Sequence, residues 1–270
     1  MIAVELRKLL RSRRTWITIA LIDALPSLVA VLLSITNLGP RPGTGPAFLS
    51  AVLTDGTLYP LAAVAIVLPL FLPAAVAVVA GEAIAGEAQS GTLRYVLIRP
   101  VGRTRLLVAK LVSVMTFVIL TVLVVAVTAY VLGVLLLGDQ QGAATVSVSG
   151  TSLSTQQVIV RTGLALAYAM LSMLGVAAIA LFLSTVVETP LAAALGTIGV
   201  LIASTLLLTL DAATSLYPYL PTRYWLSFVD LFREPILWRN VTRGVGLQLI
   251  YVAVFLAAGW ANFTTKDIKD

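Results

Sequence analysis

Residues 81–110 read GEAIAGEAQSGTLRYVLIRPVGRTRLLVAK, a charged island between two long apolar runs. Glu82, Glu87, Arg94, Arg99, Arg103, Arg105 and Lys110 fall inside it; Gly81, Gly86 and Gly91 punctuate it, and Pro100 closes it. The pattern predicts a short helix over 82–89, a break at Gly91, a second short helix from Thr92 and a stop at Pro100. Five basic side chains beside apolar spans place the island on the cytoplasmic side of a membrane. A simple connection needs only a few residues. The length and charge therefore fit a docking stretch for a soluble partner, with an ordinary positive-inside loop as the alternative.

Composition sets the frame around the island. The chain of 270 residues is 59% hydrophobic and 11% charged, with a mean hydropathy of +1.02. A soluble core could not bury that much apolar surface, so the chain is an integral membrane protein. The net charge of +6 and pI near 9.8 do not point to nucleic acid. The basic residues sit at the ends of apolar runs, where they orient spans and meet anionic lipid. There is no cysteine and no histidine. That excludes disulfides, a Ser–His protease and imidazole metal sites, and leaves no catalytic set and no metal site to expect. No G-x-x-x-x-G-K-[ST] loop occurs, so the chain has no such cradle for a nucleoside triphosphate.

Outward from the island, six spans are predicted at 15–38, 58–80, 106–137, 162–187, 191–210 and 245–263, within a single transmembrane domain over 1–270. Each can cross roughly 30 Å of hydrocarbon at 1.5 Å per residue. The first imitates a signal peptide, but it is too long and lacks a clear cleavage site, so it reads as a retained span. Before it, residues 1–14 place Ile2, Leu6, Leu9 and Leu10 at helical spacing, with basic residues mostly elsewhere on the wheel. This predicts an amphipathic interfacial helix, or more plainly a charged anchor.

Some features stand out from the apolar background. Asp23 is the acid placed well inside a predicted span, beside Pro26. An intramembrane carboxylate is costly unless paired, protonated or wet, so it is either a functional group or a bundle-facing polar residue. Pro69 and Pro73, one turn apart, predict a hinge or a static kink. Ala192 and Gly196 form a small-xxx-small face, compatible with packing inside the subunit or across a dimer. Residues 211–240 are read as an external aromatic loop in which Tyr217, Tyr219, Tyr224, Trp225, Phe228, Phe232 and Trp238 crowd together. A short helix over 225–232 would lie flat or re-enter, as an aromatic lid over an exit or as an interfacial belt. Asp23, Pro69, Pro73, Tyr224 and Trp225 are the candidates for a substrate pathway. A proton-coupled secondary transporter using Asp23 is the alternative that these residues raise.

With six spans, both termini share a side. The N-terminus, the island and the tail hold 5, 5 and 2 Lys or Arg, twelve in all, against six on the other side: Arg41, Arg161, Arg223, Arg233, Arg239 and Arg243. N-in and C-in follows from this imbalance.

Three stretches together resemble the permease subunits of ATP-binding-cassette exporters, the type-2 class. They are VELRKLLRSRRTW at 4–16, GEAQSGTLRYVLIRPVGRTRLLVAK at 86–110 and WANFTTKDI at 260–268. The family pattern matches Glu82, Glu87, Gly91, Thr92, Leu93, Arg94, Pro100, Arg103 and Lys110, with Gly102 where serine is frequent. The resemblance implies an all-α fold of six transmembrane helices, and an island that forms coupling helices docking on a separate ATPase subunit. It further implies a second permease subunit, identical or related, and ATP with Mg bound by the ATPase rather than by this chain. It also implies a prokaryotic plasma membrane and export of a drug, antibiotic, lipid or similar amphiphile. Asp23, Pro69 and Pro73 belong to none of its motifs.

Overall fold

The computed structural model describes residues 2–36, 56–91, 103–137, 145–146 and 152–265. The described chain is helical apart from one two-residue antiparallel pair, β1 (Thr145–Val146) with β2 (Ser152–Leu153). The helices are α1 (Ile2–Arg11), α2 (Arg13–Thr36), α3 (Tyr59–Val67), α4 (Phe71–Gln89), α5 (Arg103–Leu132), α6 (Thr155–Val186), α7 (Pro190–Leu207) and α8 (Trp238–Thr265). Among the described residues six helices are long and apolar enough to cross a membrane: α2, α4, α5 with its π-helical continuation to Leu137, α6, α7 and α8.

Most helices outrun the apolar windows that announce them, because hydropathy marks the stretch that prefers lipid and not where backbone hydrogen bonding ends. The span expected from 162 begins seven residues earlier, at Thr155. Ser154 and Gln157 form a reciprocal capping box there: Gln157 N–H donates to Ser154 Oγ at 3.3 Å and Ser154 N–H to Gln157 Oε1 at 3.0 Å. The span expected at 245–263 is α8, which starts at Trp238 inside the segment read as an external loop. The span expected at 58–80 is corrected more deeply. It is two helices, α3 and α4, joined by a turn at 68–70 in which Leu70 has φ −136° and ψ −57°. Two prolines four apart remove successive donors from the ladder, and Pro73 settles in the first turn of α4, where its missing N–H costs nothing. The pair breaks the helix rather than bending it. The short helix expected over 82–89 is the last part of α4, not a separate element.

Gly56 packs against Gly133, whereas Glu87 meets Lys110, so α3 and α4 together carry the chain from one end of the bundle to the other. At the Lys110 end, Trp260 Nε1 donates to Thr104 Oγ1 at 2.7 Å and Asn262 Nδ2 to the Thr185 carbonyl at 2.9 Å. The start of α5, the close of α6 and the close of α8 therefore share the end that holds α1. Arg161 and the 211–237 segment occupy the other.

Helix α6 is the axis of the bundle. Its apolar window is 61% buried, against 22% for α8. Gly175 to Leu181 is apolar and buried on every side, and the small residues there let neighbours approach closely. Ser184, on the same helix, ties α4 to it. Its hydroxyl donates to the Gly81 carbonyl at 2.7 Å and accepts from the Ile84 and Ala85 amides at 3.1 and 2.9 Å. Gly81 is required by the third partner. A Cβ there would stand 3.1 Å from both the Ala194 amide nitrogen and the Pro190 carbonyl oxygen of α7.

Candidate functional site: an ionic joint at one end of the bundle

Helix α1 turns Glu5, Leu6 and Leu9 inward, and of its expected apolar set only Leu9 is fully buried. Trp16 Nε1 donates to the Leu10 carbonyl at 2.9 Å, fixing the corner between α1 and α2. Glu5 and Lys8 are three apart, so they share one face. That face meets the last turns of α4 and the first turns of α5.

Four charges close the joint. Lys110 Nζ on α5 lies 2.5 Å from Glu87 Oε1 on α4 and 3.0 Å from Glu5 Oε2 on α1. Lys8 Nζ lies 3.2 Å from the same Glu87 oxygen. Only 3% of the Lys110 side chain and 11% of the Glu87 side chain is exposed, so each charge depends on its partners for the solvation it has lost. Two ammonium groups and two carboxylates cancel. Arg14 and Glu82 make a looser pair beside them, 3.9 Å apart, with 87% and 50% of their side chains exposed. Next to the joint lies a cavity of about 410 Å³.

The joint gathers some of the residues singled out by sequence and disperses others. Glu82, Glu87 and Lys110 come together. The Glu87 carboxylate points into the joint, where burial and two ammonium partners hold it. Gly91 has φ +69°, the left-handed conformation that glycine adopts at a helix C-terminus, and it closes α4 as the expected break. Arg103 opens α5. Thr92, Leu93, Arg94 and Pro100 lie outside the described residues.

The residues expected to line a substrate pathway lie on different elements. Asp23 on α2 accepts a hydrogen bond from Thr128 Oγ1 on α5 at 2.5 Å, which ties it to a neighbouring helix. Pro69 is exposed and Pro73 buried at the α3–α4 break. Tyr224 and Trp225 belong to the far end. There a 3₁₀ helix at Trp225–Phe232 is packed into the bundle against α6 and α8, with Trp225, Phe228, Leu231 and Phe232 between 0% and 4% exposed. For these side chains an interfacial belt is excluded by burial.

Arg161 bolts this segment down. It donates to the carbonyls of Leu231 and Arg233, both at 3.1 Å, and to Glu234 Oε2 at 2.6 Å. Tyr168 donates to the Tyr224 carbonyl at 2.6 Å, and Gly244 leaves the room its hydroxyl needs. Sequence reasoning counted Arg161 as an external charge and missed its role. An arginine one turn and a half inside an otherwise uncharged helix was the available signal. Gly196 packs against Leu183 of α6, so that part of the small-residue face is used within the subunit.

A family model described as ABC-2 family transporter protein matches residues 1–198, which hold the joint, four of the six long apolar helices and the first half of α7. No curated protein matches the chain.

Proposed function

The chain belongs to the ABC-2 family of transporter proteins, and we propose that it is the permease subunit of an exporter driven by a separate ATP-binding-cassette ATPase. The ionic joint is the observation that supports this most directly. Glu87 lies in the last turn of α4 and Lys110 in the second turn of α5, so the pair clamps both stems of the 81–105 stretch, and Glu5 and Lys8 add α1. An ATPase pulling on that stretch would move three helices as one body. Closure of the ATPase pair on ATP would then tilt the spans and shift the pathway between inward- and outward-facing populations.

In this reading the joint end faces the cytoplasm, α1 lies on the inner leaflet of a prokaryotic plasma membrane, and a second permease, identical or related, completes the pathway. ATP and Mg belong to the ATPase. The apolar spans favour a hydrophobic or amphiphilic cargo such as a drug, antibiotic or lipid.

The test is co-purification. Leu93 offers an apolar contact and Arg94 an orienting charge, and loss of a well-packed interface residue commonly costs about 2 kcal/mol or more. Leu93→Ala with Arg94→Glu should release the ATPase from the detergent-solubilised complex while the permease still inserts. A double variant that retains its ATPase as the wild type does would reduce the stretch to an orienting charge cluster.

A further inference from the structure

The cavity beside the joint has a layered wall. On three helices a charged residue at the rim is followed, one turn deeper into the bundle, by an aliphatic one: Arg14 then Ile17, Glu82 then Val78, Lys110 then Val114. One helical turn is about 5.4 Å, so the wall changes from ionic to apolar within the length of a lipid headgroup. Ile17 and Val78 are 59% and 46% exposed, which opens the deeper layer sideways to the surroundings of the bundle. An occupant must be charged at one end and apolar at the other.

The charges at the rim specify the headgroup. Lys110 and Lys8 are committed to carboxylates at 2.5 to 3.2 Å. Arg14 and Glu82 are opposed at 3.9 Å, too far for a hydrogen bond, and both are substantially exposed. A loose exposed pair is weakly held. A zwitterion inserted between them replaces one long contact by two short ones. A headgroup carrying only negative charge would satisfy Arg14 and face Glu82 as a like charge.

We propose that this cavity binds a phospholipid with a phosphoethanolamine headgroup. The Arg14 guanidinium takes the phosphate as a two-donor fork, Glu82 takes the ammonium, and an acyl chain lies along Ile17, Val78 and Val114. The site needs only that this end of the bundle lies at a membrane surface. It does not depend on coupling to an ATPase, so the co-purification test and this one fail separately.

Delipidated wild-type protein would be titrated in detergent, with native mass spectrometry as readout, against phosphatidylethanolamine, phosphatidylglycerol of the same acyl chains, and free phosphoethanolamine. The expected result is a preference for the ethanolamine lipid of about tenfold or more, the size of one charge contact worth about 1.4 kcal/mol. Free phosphoethanolamine should not bind at equal concentration. Glu82→Gln should bring the two lipids to parity, and Arg14→Gln should weaken both. Equal or tighter binding of phosphatidylglycerol by the wild type would overturn the headgroup assignment. Equal binding of free phosphoethanolamine would overturn a membrane source, and an unchanged preference in Glu82→Gln would remove Glu82 from the site. The wild-type competition needs no variant to fold.

Discussion

Lys110 Nζ stands 2.5 Å from Glu87 Oε1, with 3% of the lysine side chain exposed, and joins α5 to α4 across 23 positions of sequence. Glu5 and Lys8 complete the balance, so loss of either member of the pair leaves one unbalanced charge in a buried joint. The pair holds α4 and α5, which flank the 81–105 stretch, together by opposite charges.

Truncation of one partner is therefore severe. Lys110→Ala should lower stability by about 3–5 kcal/mol, the cost of an uncompensated buried charge, read as the thermal midpoint of the detergent-solubilised protein. Lys110→Met with Glu87→Met should be much less damaging. Glu5 and Lys8, three apart on α1, can then pair with each other. Additive losses in the double variant would mean that the two residues are not coupled.

Arg161 is expected to behave as a fork and not as a point charge. Arg161→Ala and Arg161→Lys should both loosen the 225–237 segment, because one ammonium cannot span two carbonyls and a carboxylate. Glu234→Gln should be mild, since the carbonyl bonds remain. Hydrogen exchange across 225–237 reads this order directly, and an Arg161→Lys protein as protected as wild type would refute it.

Gly81→Ala tests how closely α4 and α7 approach. The added methyl meets backbone atoms of α7 at 3.1 Å, and backbone cannot swing aside as a side chain would. A loss of about 1–3 kcal/mol is expected, as for overpacking. Gly163→Ala, where a Cβ meets nothing within 4 Å, is the control and should be neutral. Equal melting of the two variants would show that α4 and α7 can part enough to admit a methyl group.

Orientation can be read chemically because the sequence contains no cysteine. Ser90→Cys lies at the joint end and Thr214→Cys at the other, and both positions are exposed. In intact cells an impermeant maleimide should label Thr214→Cys and reach Ser90→Cys only after permeabilisation. The reverse pattern would invert the proposed topology.

Fold class was legible in the chain because lipid solvation is a one-dimensional constraint. A run of about 20 apolar residues must span, wherever it later packs. The break at Gly91 was legible too, since a left-handed helix end is a local preference of glycine. What lay beyond sequence was partnership. Asp23 had no visible partner until Thr128, 105 positions away, was folded against it. Pro69 and Pro73 announced a distortion, but whether it was a bend or a break was settled only by the turn at Leu70. Arg161 and Glu87 both read as ordinary charges by position. Only tertiary structure turned them inward, because a buried charge is tolerated solely where groups remote in sequence converge to replace its water.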